Sequence, residues 1–206
     1  MKRCITIFYI DDRIDPILAR YLNEYCDEYN QMNSSDYSLY YDEYTFKKED
    51  TYKTLLNNDS INKANIIVID SRLFENENSN LSKFTGEQFK VILKQILPFI
   101  KTIVISQNFS DEDSLTVQKY QSHWSDIKFK DHYNEILEPI IKQNITALIE
   151  EYKVIDQLEE EEEVDSVLVG TIQSTILGLR DTALFEKDDL DELIKLFNEV
   201  KIRYED

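Results

Sequence analysis

The run Ala64-Asn65-Ile66-Ile67-Val68-Ile69-Asp70 constrains this chain more than any other stretch. Its four consecutive β-branched residues show no polar alternation, which suits a strand covered on both faces, as in a parallel sheet. β-Branching favours strand over helix in so short a run. In open α/β sheets ligands gather outside the carboxyl ends of the strands. Asp70 therefore stands where chemistry is done, and the question is which other side chains arrive there.

The rest of the chain alternates around this strand. Residues 4–10 read as a strand that runs into Asp11-Asp12-Arg13. A helical pattern starts near Pro16, which fits a first turn, and continues through Leu18, Tyr21, Leu22 and Tyr25. Residues 30–36 are a polar loop. Residues 37–46 form an aromatic-rich strand, whose tyrosines at 37, 40, 41 and 44 read as strand packing. Residues 49–56 predict a short helix. Beyond Asp70, the polar tract 75–85 is an enlarged surface loop. Thr85-Gly86-Glu87 opens a helix with Phe89, Ile92, Leu93 and Ile96 on one face. Residues 101–106 make a strand ending on Ser106. A weakly amphipathic helix is expected over 111–124 and a brief strand over 127–130, ending on Lys130. From Tyr133 the period is helical again, with Pro139 in the first turn. Five strand–helix units imply an α/β protein with a five-stranded parallel sheet and helices on both faces.

Charge narrows the function classes. The formal net charge of −18 repels nucleic acid and anionic membranes. There is no Lys/Arg cluster, no basic recognition helix, and no apolar run near the ~20 residues that span a bilayer. The N-terminus enters a strand too soon for a signal peptide. Cys4 and Cys26 lack metal-ligand spacing and read as free core thiols of a reducing cytosol, so the expected location is cytoplasmic. His123 and His132 read as surface or partly packed residues. Two domains are expected: 1–150, and an acidic helical extension over 151–206 that begins near five consecutive glutamates at 159–163. Apolar stripes through Val167, Leu168, Ile172 and Ile176, and through Leu190, Leu193, Ile194 and Phe197, predict a helical hairpin. It must bury its stripes on itself, on the preceding helix or on a second copy, which would make a homodimer.

Four strands end on useful groups: Asp11-Asp12, Asp70, Ser106 and Lys130. In a parallel sheet all four reach one edge. Three carboxylates in proximity repel one another unless a cation bridges them, and hard oxygen ligands with open positions suit Mg²⁺. A hydroxyl and an ammonium beside them would meet phosphate oxygens. The set suits an aspartate that accepts a phosphoryl group.

Over roughly residues 1–150 this layout resembles the receiver domain of two-component response regulators. The family has an acidic pair after strand one, a phosphoacceptor aspartate after strand three, a Thr or Ser after strand four and a Lys after strand five. Leu73 and Gly86-Glu87 extend the match. The resemblance implies a flavodoxin-like doubly wound fold with Asp70 as phosphoacceptor. Asp12, Asp70 and the Arg72 carbonyl would hold Mg²⁺ directly, Asp11 mostly through water, and Ser106 and Lys130 would hold phosphoryl oxygens. Phe74 and Asp131 stand where the family has Pro, Gln107 where it has Ala, and Ile127 where it often has an aromatic residue.

The implied function is phosphorylation-controlled signalling. A histidine kinase or phosphotransfer protein would supply the phosphoryl group, a downstream protein would receive the signal, and the only activity would be autophosphorylation and autodephosphorylation at Asp70. The alternative is a degenerate receiver acting as a binding or dimerisation module. A phosphohydrolase of the haloacid-dehalogenase type needs Asp-x-Asp after strand one, whereas Asp11 and Asp12 are adjacent.

Overall fold

Asp70 ends the third of five parallel strands in the computed structural model of this protein. The structure describes residues 3–32, 36–74, 85–107, 116–121, 128–160, 170 and 172. The described elements are β1 (Arg3–Asp11), α1 (Pro16–Met32), β2 (Tyr37–Thr45), α2 (Tyr52–Leu56), α3 (Asp59–Asn62), β3 (Ile66–Asp70), α4 (Gly86–Ile96), β4 (Lys101–Ser106), β5 (Thr116–Gln118), α5 (Phe129–Ile136) and α6 (Glu138–Glu160). The strand order is β2-β1-β3-β4-β5, and every pair is parallel.

Alternation sorts the unbroken apolar runs onto two faces. Phe8, Ile10, Ile67, Ile69 and Val104 pack with α2, α3 and α4, whose inner faces carry Leu55, Ile61, Phe89 and Leu93. Ile5, Ile7, Tyr9, Ile66, Val68, Ile103, Ile105 and Val117 pack with α1, α5 and α6. Ile66 to Ile69 are wholly buried. That is the state expected of a strand without polar alternation, and it stabilises by about 1.5–3 kcal/mol per side chain.

Local capping chemistry sets the helix starts. Pro16 opens α1, and the Asp15 carboxylate accepts from the Ile17 amide at 2.9 Å. Thr85 and Gln88 form a capping box that starts α4. At the amino edge of the sheet Asn65 is a buckle. Its Oδ1 accepts from the Thr6 amide at 2.8 Å, and its Nδ2 donates to the Tyr152 hydroxyl at 2.6 Å. Arg3 lies over the Tyr152 ring and pairs with Asp156 at 3.0 Å, and Lys101 pairs with Glu151.

These contacts bear on the expected domain division. The boundary expected at residue 150 falls inside α6, and Tyr152 and Ile155 beyond it are buried with the rest of the sheet-covering residues. Apart from Gly170 and Ile172, which are helical, the hairpin expected over 164–204 lies outside the described residues, as does the loop expected over 75–85 up to Thr85.

Three expectations are corrected. The helix expected over 111–124 contains β5, and the strand expected over 127–130 is absent from its described part, because Lys128 precedes α5 and Phe129 opens it. Phe129, Ile136 and Tyr133 turn inward at helical spacing, so the helical period won over the short apolar–basic alternation. Cys4 is exposed rather than in the core. Cys26 is buried, and burial pushes its thiol up to about 12.

Candidate functional site

Ile10 pairs with Ile69, so Asp11 and Asp70 are the next residues on adjacent strands. The chain leaves β1 toward β2 on one side, and β3 lies on the other. Such a switch in strand order opens a crevice at the carboxyl edge. Alternation carries Asp11 after Ile7 and Tyr9, Asp70 after Ile66 and Val68, and Lys119 after Val117, all toward the face covered by α1, α5 and α6.

The three groups meet there. Lys119 Nζ lies 2.7 Å from Asp11 Oδ2 and 2.7 Å from Asp70 Oδ1. Only 4 % of Lys119 and 2 % of Asp11 is exposed, so this is an ionic cluster largely removed from water. Burial pulls the Lys119 ammonium toward neutrality. Attraction to Asp70 and Asp11 outweighs it, and the group is held above the usual lysine range. The Lys119 amide donates to the Ser106 carbonyl at 2.8 Å, which fixes the stem of the side chain.

Asp11 is further held by donors of its own. The Tyr9 hydroxyl donates to Oδ2 at 2.5 Å and the Arg13 amide to Oδ1 at 3.1 Å. Burial first, and the Asp11 charge second, drive the Tyr9 hydroxyl far above its ordinary range, so it stays a donor. The Asp15 amide donates to the same hydroxyl at 3.3 Å and ties in the start of α1. The Arg72 amide donates to Asp70 Oδ2 at 2.8 Å, setting the carboxylate in its turn.

Asp12 is exposed, but its carboxyl faces the same charges. Partial burial, a hydrogen bond with Asp11 and repulsion from Asp11 and Asp70 raise it above the normal carboxylate range, and Lys119 opposes the rise. Three carboxylates thus share one ammonium, which leaves two negative charges in excess when all are ionised. That imbalance fits a divalent cation bound through oxygen. Among the described residues, no three or more His, Cys, Asp or Glu side chains stand ready arranged to hold a metal ion.

The structure therefore brings together Asp11, Asp12 and Asp70, with Arg72 beside them. Buried Ser106 sits one residue beyond Ile105, the register partner of Asp70. Lys130 is not among them. It lies in the first turn of α5, half-exposed, and pairs with Glu28 of α1 at 2.5 Å. Lys128 stands just before the same helix. The lysine of the site is Lys119, which sequence reasoning missed because β5 is only Thr-Val-Gln with one apolar residue. The β-branched pair Thr116-Val117 just before a lysine was the available signal. The residue that follows Lys119 is Tyr120, whereas Asp131 follows the expected Lys130. Thr116 stands three residues before Lys119, and Ile127 lies outside the described residues, as does His123. His132 is buried, with Nε2 3.0 Å from the Gln118 carbonyl.

Two features explain the turn after Asp70. Phe74, where the resemblance expects Pro, is fully buried and packs edge-on to Phe46 and against Phe89. Gly86 donates to the Ser71 carbonyl at 2.8 Å, and a Cβ placed on it would stand 2.6 Å from the Asp70 carbonyl oxygen. Only glycine permits this approach. Gly86→Ala is expected to cost about 1–3 kcal/mol by overpacking backbone on backbone, read as a lower denaturant midpoint at unchanged slope. An unchanged midpoint would show that the turn can yield freely.

No protein-family model, curated protein or solved structure matches the chain.

Proposed function

We propose that this protein is a receiver-type signalling protein that accepts a phosphoryl group on Asp70. The observation that carries the reading is the cluster itself: Asp70 Oδ1 bound to Lys119, with Asp11 and Asp12 beside it, at the reversal of strand order. The order β2-β1-β3-β4-β5 supports the flavodoxin-like receiver fold within α/β.

In this reading the Asp70 carboxylate attacks the phosphorus of a phosphohistidine donor. The donor P–N bond breaks, and the histidine leaves with the electron pair. Lys119 shifts from Asp70 to a phosphoryl oxygen, replacing one anion by another, and the Ser106 hydroxyl meets a second oxygen. Asp12, Asp70 and the Arg72 carbonyl would hold Mg²⁺ directly and Asp11 through water. The ion would neutralise the two excess charges and orient the incoming phosphoryl group. The partners are a histidine kinase or phosphotransfer protein and a downstream protein, in the cytoplasm. No helix of the described residues is long and apolar enough to cross a membrane.

A second reading draws on Lys119 as well. An ammonium 2.7 Å from both carboxylates can serve as their permanent counter-charge in a receiver kept only as a binding module. Thermal unfolding with Mg²⁺ and beryllofluoride separates the two. The raised Asp12 carboxyl means the folded state binds this proton more tightly than the unfolded chain. Its stabilising share is present at acid pH and is lost as pH rises from the ordinary aspartate range through the raised value. Mg²⁺ needs the ionised form, so its stabilisation emerges over that same rise. It should reach about 2.7 kcal/mol at a hundredfold excess over Kd. Asp12→Asn should be more stable than wild type without metal at neutral pH and gain nothing from Mg²⁺. If wild type gains nothing from either additive, the binding-module reading stands instead.

A further inference from the structure

Glu87 gathers three parts of the site's support that the phosphoacceptor chemistry leaves unused. It is the second residue of α4, directly after Gly86, the residue pressed against the Asp70 carbonyl. Its carboxylate accepts from the Ser71 hydroxyl, with Oγ 2.7 Å from Oε1 and 3.0 Å from Oε2, and from the Thr116 hydroxyl at 3.0 Å on Oε1. Ser71 follows Asp70 directly, and its amide donates to the Ile105 carbonyl at 2.8 Å. Buried Thr116 begins β5, and Lys119 directly follows the strand's last residue. One carboxylate therefore bonds the turn that carries Asp70 to the strand that delivers the ammonium.

We propose that Glu87 is a positioning residue that clamps the Asp70 turn to β5, fixing the separation of Asp70 and Lys119 and passing a change at Asp70 into β5 and α4. A strand of three residues has few ladder bonds of its own to hold its register. A partly buried hydrogen bond at its first residue is a large share of its anchorage. Because β5 pairs only with β4 among the described strands, movement of the Asp70 turn reaches it through β4, through the Lys119 ion pair or through Glu87, and only Glu87 holds the first residue of β5 to the backbone turn itself. A displaced Ser71 must change its bond to Glu87, and Thr116 shares the same oxygen. This inference rests on the proposed function for its meaning, but the clamp has a readout of its own.

That readout is trace acylation of lysines by acetic anhydride, quantified by mass spectrometry on the full chain. Glu87→Met removes both acceptor bonds, Thr116→Val removes one hydroxyl at nearly constant shape, and Glu87→Gln keeps an acceptor oxygen while removing the charge. Labelling of Lys119 should rise on the order of three- to tenfold in Glu87→Met and Thr116→Val, and less than about twofold in Glu87→Gln. The double variant should exceed Glu87→Met little, since both act on one bond network. Lys101, paired with Glu151 at the opposite edge, should stay at its wild-type value. Equal Lys119 labelling in all variants overturns the clamp, and so does Lys101 rising in step with Lys119, which marks general loosening. Equal effects of Glu87→Gln and Glu87→Met would instead assign Glu87 to the helix dipole. In parallel, beryllofluoride with Mg²⁺ should bind Glu87→Met and Thr116→Val more weakly by a similar factor. Failure of wild type to bind it would sink the phosphoacceptor reading, while the labelling result still decides the clamp.

Discussion

Lys119→Met is expected to destabilise the protein by about 3–5 kcal/mol at neutral pH, the largest single-residue effect expected on its stability. Methionine fills much of the same volume, so the loss is mainly electrostatic. Asp11 and Asp70 lose the ammonium they share, and Asp11 is almost fully removed from water. A buried charge left without its partner costs far more than the pair is worth. Lys130→Met should leave the denaturant midpoint unchanged, since that side chain is half-exposed and its ion pair with Glu28 is a surface one. Lys119→Met/Asp11→Asn should recover part of the deficit, because one of the orphaned charges goes with it. In wild type the raised Lys119 value gives a stabilising contribution that is complete below the ordinary lysine range. It is lost as pH climbs through the folded value, so the difference between wild type and Lys119→Met should shrink at strongly alkaline pH. Urea unfolding of the four proteins across pH measures this. Equal midpoints for wild type and Lys119→Met would mean the cluster bears no weight.

That prediction turns on a residue the amino-acid string hides. Long apolar runs announce themselves: Ile66–Asp70 and Lys101–Ser106 have the bounds expected from β-branching, and Pro16 opens α1 as its fixed φ suggests. The acidic residues were legible because each follows such a run. Thr116–Gln118 is different. It is a strand because Val104, Ile105 and Ser106 offer it an edge, and because Val117 finds the core there. Neither cause is local, so tertiary pairing overrides a weak local preference. Residues 127–130 carry an alternating pattern but continue into a helix whose inner face needs Phe129 and Tyr133. The lysine that meets the aspartates stands eleven positions before the one expected. Glu87 was legible as part of a helix start and of the resemblance but not as a clamp, since nothing in a sequence reports that Ser71 and Thr116 reach the same carboxylate.

The second large effect concerns Asp70. Its carboxylate is the least enclosed of the two that Lys119 bridges, with 13 % of the side chain exposed against 3 % for Asp11. Asp11 already accepts from Tyr9, Arg13 and Lys119, which leaves Asp70 the better placed nucleophile. Asp70→Asn keeps the shape and the Arg72 contact but removes the charge that attacks phosphorus, so phosphoryl uptake should fall to background. Asp11→Asn should weaken uptake without abolishing it.

The most direct measurement is intact-protein mass spectrometry after incubation with acetyl phosphate and Mg²⁺, followed by reductive trapping and peptide mapping of the acyl phosphate. One phosphoryl group per chain on residue 70 is expected. It should be absent without Mg²⁺ and absent in Asp70→Asn. An unmodified wild-type chain, or the same yield on Asp70→Asn, would contradict the account.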